Sequence, residues 1–165
     1  MGIPEALDQL DLIAQIAVAL LGFIAIFLAL PGPDGRFAQS DRHFVQALVM
    51  SASIAIVLAI APRALGLLVP EDEIWMAASW IALALGLPAF VIEARHQLKM
   101  SREESAQIHW LWHVIAWGLA FASGALFMLA VLRDGQTVTY FVGGVTAIVP
   151  LSLWVFTGVV FRRFF

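Results

Sequence analysis

Glu93, His96, His109 and His113 are the side chains of this sequence best suited to chemistry near neutral pH. Glu93 and His96 are three residues apart, and His109 and His113 four. On a helix each pair therefore shares a face. Glu-x-x-His on a bundle helix is a ligand arrangement for iron or manganese. Two imidazoles one turn apart suit zinc, copper, nickel or iron. These four residues are the candidate metal ligands, and His43 falls at the same end of the molecule. Two other readings stand beside this one. Histidine titrates near neutral pH, so the group could sense or relay protons. Histidine and glutamate also reach water from a membrane boundary without any metal. The expectation is no resident cofactor; if one is held, a transition metal ranks before haem.

A second group lies near the start of the chain. Asp8, Asp11, Gln15, Ala19 and Gly22 follow one another at steps of three and four, so they form one helical stripe, polar at one end and small further in. Repeated around an oligomer axis, the acids would make stacked rings that attract cations. Arg63 argues for anions if it faces the same axis. The expectation is that Arg63 reaches the outer surface or pairs with Asp8 or Asp11. These six residues are the candidate ion pathway.

Other chemistry finds no support. The chain has no cysteine, which excludes disulfides, thiolate-bound clusters and a Cys nucleophile. Its one lysine, Lys99, falls in a polar stretch, so a mid-membrane Schiff base is excluded. There is no Gly-rich phosphate loop, no Ser in a nucleophile elbow and no pair of carboxylates deep in an apolar run. The chain reads as no enzyme. A net charge of −3 leaves no basic footprint for nucleic acid.

The elements that must position these residues are membrane spans. Of the 165 residues, 62% are hydrophobic and 13% charged, with a mean hydropathy of +0.92. Soluble domains run at about 45–50% and about 25%. A helix needs about 20 mostly apolar residues to cross a bilayer. Five stretches qualify, at about 10–30, 44–68, 74–94, 107–132 and 139–161. Pro31-Gly32-Pro33-Asp34-Gly35, Pro70-Glu71-Asp72-Glu73, a polar loop from Arg95 to Ser105, and Arg133-Asp134-Gly135-Gln136 separate them. The fold class is all-α, a polytopic helical bundle in one domain, 1–165. The first apolar run lacks a basic leader and is too long for a cleavable signal.

Short-loop charges set the direction. The side of Arg36, Arg42, Arg95, Lys99, Arg102, Arg162 and Arg163 holds seven Lys and Arg, and the other side only Arg63 and Arg133. The N-terminus is expected outside and the C-terminus in the cytoplasm. Small-residue stripes run along all five spans, among them Ala47, Ser51, Ala55 and Ala59 in the second. Such stripes let helices approach closely. Five exceed what one small bundle needs, so some should meet another copy of the chain. Trp75, Trp110, Trp112 and Trp154 read as interfacial anchors, and Trp80 and Trp117 as packing residues.

Gln15-Ile16-Ala17-Val18-Ala19-Leu20-Leu21-Gly22-Phe23 resembles the opening helix of small, uncharacterised multi-span bacterial membrane proteins, which implies a bacterial inner membrane. Ile108-His109-Trp110 with Ala116-Trp117, and Ile148-Val149-Pro150 running to Phe161-Arg162-Arg163, resemble the Orai store-operated calcium channel family over spans 2 to 5. That resemblance implies a symmetric oligomer with a central pore lined by one helix per copy. The family's pore helix carries an acidic selectivity residue near its outer end; this chain has Arg63 there, a departure that speaks against calcium selectivity. The expected function is a small homo-oligomeric inner-membrane protein forming a cation-preferring, ion-conducting pore or transport unit. Its partners would be the lipid bilayer, its own copies and an inorganic ion. The alternatives are a metal- or haem-binding membrane subunit and a structural accessory subunit.

Overall fold

The computed structural model describes residues 1–29, 39–99, 110–133 and 135–164. Within them lie five long helices: α1 (Ile3–Ala29), α2 (Gln39–Leu65), α3 (Ile74–Lys99), α4 (Trp110–Leu132) and α5 (Thr137–Phe164). Each contains an apolar stretch of 22 to 25 residues, long enough to cross a bilayer. The chain is an all-α polytopic membrane protein.

Two of the boundaries that differ from the sequence expectation carry charged residues. The first span begins at Ile3 rather than near residue 10. Pro4 fits the first turn of a helix, and Glu5 accepts a hydrogen bond from the Gly2 amide at 3.2 Å. The acids Glu5, Asp8 and Asp11 thus sit inside α1, near the helix end whose dipole favours negative charge. At the other boundary, Arg95 to Lys99 continue α3 instead of opening a loop. No Gly or Pro breaks that stretch, and Gln97 donates to Glu93 one turn back at 3.2 Å. The tight turn after α4 is as expected: Gly135 takes a φ of +86°, which side chains with a Cβ rarely adopt.

The helices form a ring with α5 drawn inward. α1 packs on α2 and α5, α2 on α3 and α5, α3 on α4, and α4 most extensively on α5. The main core is built from Leu10, Ile13 and Ala17 of α1, Ala52, Ala55 and Leu58 of α2, and Phe141, Val142 and Val145 of α5. Trp75 is only 5% exposed and packs edge-on to Phe141, with ring centroids 5.8 Å apart. It is a core residue rather than the expected boundary anchor.

Polar contacts pin the helices to one another. Gln9 Nε2 of α1 donates to Thr146 Oγ1 of α5 at 3.1 Å. Ser51 Oγ and Ser152 Oγ lie 2.9 Å apart across α2 and α5. Ser123 Oγ of α4 donates to the Gly144 carbonyl at 2.9 Å. In hydrocarbon these groups have no water to turn to, so each contact fixes a helix pair.

Candidate functional site

The acidic end of α1 is tied to α2. Arg63 grips Asp11 with both guanidinium nitrogens, one bond measuring 2.6 Å, in a bidentate pair. This is one of the two expected outcomes for Arg63. It also takes Asp11 out of any freely presented acidic ring, because its oxygens are already held. Asp8, one turn earlier and exposed, remains on the outward face.

The rest of the α1 stripe points away from the bundle. Gln15, Ala19 and Gly22 are exposed, and no neighbouring atom stands within 4 Å of where a Gly22 Cβ would be. The buried face of α1 is instead Ala6, Leu10, Ile13, Ala17, Leu20 and Ile24. The second small-residue ladder behaves in the opposite way. Ala55 and Ala59 are buried within the chain, and Ser51 meets Ser152. Some of the stripes were expected to meet another copy; this ladder is an internal seam, its Ser51 meeting Ser152 of α5.

The histidine end is distributed over two helices. Glu93 is half-buried on α3, His96 is exposed one turn on, and His113 is half-buried on α4. His109 lies outside the described residues, as does the side chain of His43. Among the described residues, no three His, Asp or Glu side chains gather as a ligand set.

Glu93 has a second setting that sequence reasoning missed. A cavity of 480 Å³ lies between α2, α3, α4 and α5, and Glu93 and Gln97 line one end of it. Trp117 Nε1 donates to Gln97 Oε1 at 2.9 Å, and Gln97 Nε2 donates to Glu93 Oε1 at 3.2 Å. This relay runs from α4 to α3. Beside it, Phe90 packs edge-on against Trp117 and Phe121, with centroids 4.5 and 5.1 Å away. The remaining wall is mostly apolar: small residues such as Ala82, Gly86 and Ala89 of α3 and Ala116, Ala120 and Gly124 of α4 alternate with large ones such as Met50, Leu83, Met128 and Leu151. The sequence signal is the run of small residues on α3 and α4, such as Ala82, Gly86 and Ala89 and Ala116 and Ala120: facing runs of small residues leave space when bulky rings hold their helices apart.

Comparison with protein-family models, with curated proteins and with solved structures gives no match. The residues and their geometry are therefore what bears on function, and on them the chain is a multi-pass membrane protein with two unusual features, an outward polar stripe and an internal cavity with a polar end.

Proposed function

We propose that this chain is a homo-oligomeric inner-membrane protein that forms a cation-preferring, ion-conducting pore or transport unit. The carrying observation is Gln15, exposed on the outward face of α1 midway along a 24-residue apolar span. A carboxamide facing lipid has no hydrogen-bond partner, and that is costly. A second copy of the same face removes the cost, since symmetric assembly brings like residues together. Ala19 and Gly22 on that face allow close approach. Around an axis, Gln15 would supply a polar ring and Asp8 an acidic mouth, which favours cations. Arg63 does not oppose this, because Asp11 holds it. The N-terminus, on this reading, is outside.

Reversal potentials in planar bilayers under asymmetric salt test the proposal. A cation preference is expected, reduced by Asp8→Asn. Absence of conductance from a strictly monomeric protein would overturn it.

A further inference from the structure

The cavity between α2, α3, α4 and α5 stands apart from the α1 face and plays no part in the pathway argued above. Its 480 Å³ falls within the range of about 300–1,000 Å³ typical of small-molecule sites. Its wall mixes small residues with large apolar ones such as Met50, Leu83, Phe127 and Leu151. The polar side chains in that wall are already bonded within the chain. Ser51 meets the Leu48 carbonyl and Ser152, and Ser123 donates to the Gly144 carbonyl. At one end Trp117 donates to Gln97 and Gln97 to Glu93, which has a further partner of its own. Water settles in a cavity only where about two to four polar groups receive it, and apolar cavities stay dry. Hydrocarbon needs no such partners, and it restores the packing contacts that an empty space forfeits.

Depth and access select which hydrocarbon. The lining residues of α2, Ala47 to Ile54, lie in the first half of its span, Phe44–Leu65. Those of α5, Ile148 to Val155, lie in the second half of Thr137–Gly158. On α3 the wall runs from Ala82, near the middle of the span, toward its Leu98 end, and α4 lines the cavity from Ala116 across its middle to Met128. From Ala82 to Glu93 the wall is about 16 Å long, at about 1.5 Å per residue. Half of a hydrocarbon core about 30 Å thick is about 15 Å. The cavity is thus about one leaflet deep and lies mainly on the Leu98 side of the membrane. It is also open sideways. Leu87 and Phe121 line it yet are 60% and 63% exposed, so the gap between α3 and α4 faces the bilayer at membrane depth. The medium at that gap is lipid tails.

We propose that this cavity holds one acyl chain of a bilayer phospholipid from the leaflet on the Leu98 side. The chain enters between α3 and α4, its methyl end toward Leu83 and its ester end toward Gln97.

Photolabelling of the full chain in vesicles of phosphatidylethanolamine and phosphatidylglycerol tests this. The probe is a trace of phosphatidylcholine with a diazirine near the methyl end of one chain, and the labelled residues are read by peptide mass spectrometry. Leu83, Phe127 and Ile148 are only 8%, 4% and 6% exposed, so lipid around the bundle does not reach them. They should nonetheless be labelled, alongside the lipid-facing Phe23. A diazirine next to the ester should move the label to the Gln97 end. Gly124→Leu and Gly86→Leu place bulk in the cavity, where no atom stands within 4 Å of either added Cβ, so both chains should stay folded. Each should lower labelling of the three buried residues about tenfold or more, as overfilling a packed space does, and leave Phe23 unchanged. Labelling confined to exposed residues, or buried labelling that persists in both variants, would overturn the proposal. So would equal labelling of Leu83 from both diazirine positions, or a second copy of the chain filling the cavity, seen in native mass spectrometry as a dimer that Gly124→Leu dissociates.

Discussion

Gly144 marks the tightest approach in the bundle. A Cβ there would stand 2.6 Å from the Phe127 ring. That ring cannot swing aside, since it is buried and packs on Phe141 with centroids 5.7 Å apart. Gly144→Ala should therefore destabilise the protein by about 1–3 kcal/mol, the usual cost of overpacking a core. Gly86→Ala is the control. Nothing stands within 4 Å of its added methyl group, and alanine favours a helix interior over glycine by about 1 kcal/mol. Unfolding of the two variants in detergent should thus shift in opposite directions; a shared loss would remove the close-approach argument. The sequence showed Gly143-Gly144 only as small residues in a span, because nothing local says which of two adjacent glycines faces a phenylalanine seventeen positions earlier. The Asp11–Arg63 pair was more legible. Opposite charges at the same end of two spans have few alternatives in lipid, and the pairing was one of the two outcomes expected.

At the scale of the helix, the two small-residue stripes of α1 and α2 separate into an outer and an inner one, and this yields opposite expectations for one kind of substitution. Gly22→Leu adds bulk on the outward face, where no atom of the same chain stands within 4 Å. It should leave the fold intact and lower the oligomeric mass in native spectrometry. Ala55→Leu adds bulk to a site 1% exposed, so it should unfold the chain before it affects assembly. A Gly22→Leu protein with unchanged mass would sink the α1 interface. Small-residue periodicity picked out the buried faces of α2, α3 and α4, because there Ala, Ser and Gly do line the seams. In α1 the stripe of Gln15, Ala19 and Gly22, and in α5 the small-residue stripe of Thr139, Gly143 and Thr146, do not coincide with the buried faces. Their buried faces rest largely on Leu10, Ile13 and Leu20, and on Phe141, Val145 and Ile148, large residues that in an all-apolar span look the same as those facing lipid. The cavity was illegible for a related reason. Its small-residue walls read as contact stripes, and the packing of Phe90 on Trp117 and Phe121 at one end, which helps to space α3 from α4, has no local sequence signal.

The whole molecule has two unlike ends. The five spans were legible because charged and Pro- or Gly-rich stretches bracket apolar runs of about the length a bilayer requires, and a helix is the form that satisfies its own backbone there. Direction rests on a separate physical rule, that short loops rich in Lys and Arg stay in the cytoplasm. Arg95 and Lys99 lie at the end of α3, while Glu71, Asp72 and Glu73 occupy the turn between α2 and α3. The absence of cysteine makes the direction measurable, since any cysteine introduced is the sole thiol of the chain. Glu71→Cys and Gln136→Cys replace exposed residues in the two turns expected outside. Leu98→Cys replaces a residue 86% exposed at the opposite end of α3. A membrane-impermeant maleimide applied to intact cells, with access through any outer envelope ensured, should label the first two, and Leu98→Cys only after lysis. Labelling of Leu98→Cys alone would invert the protein. Asp8 would then face the cytoplasm and Glu93 the exterior, so the acidic end of α1 that the proposed pore takes as its outer mouth and the polar end of the cavity would exchange sides.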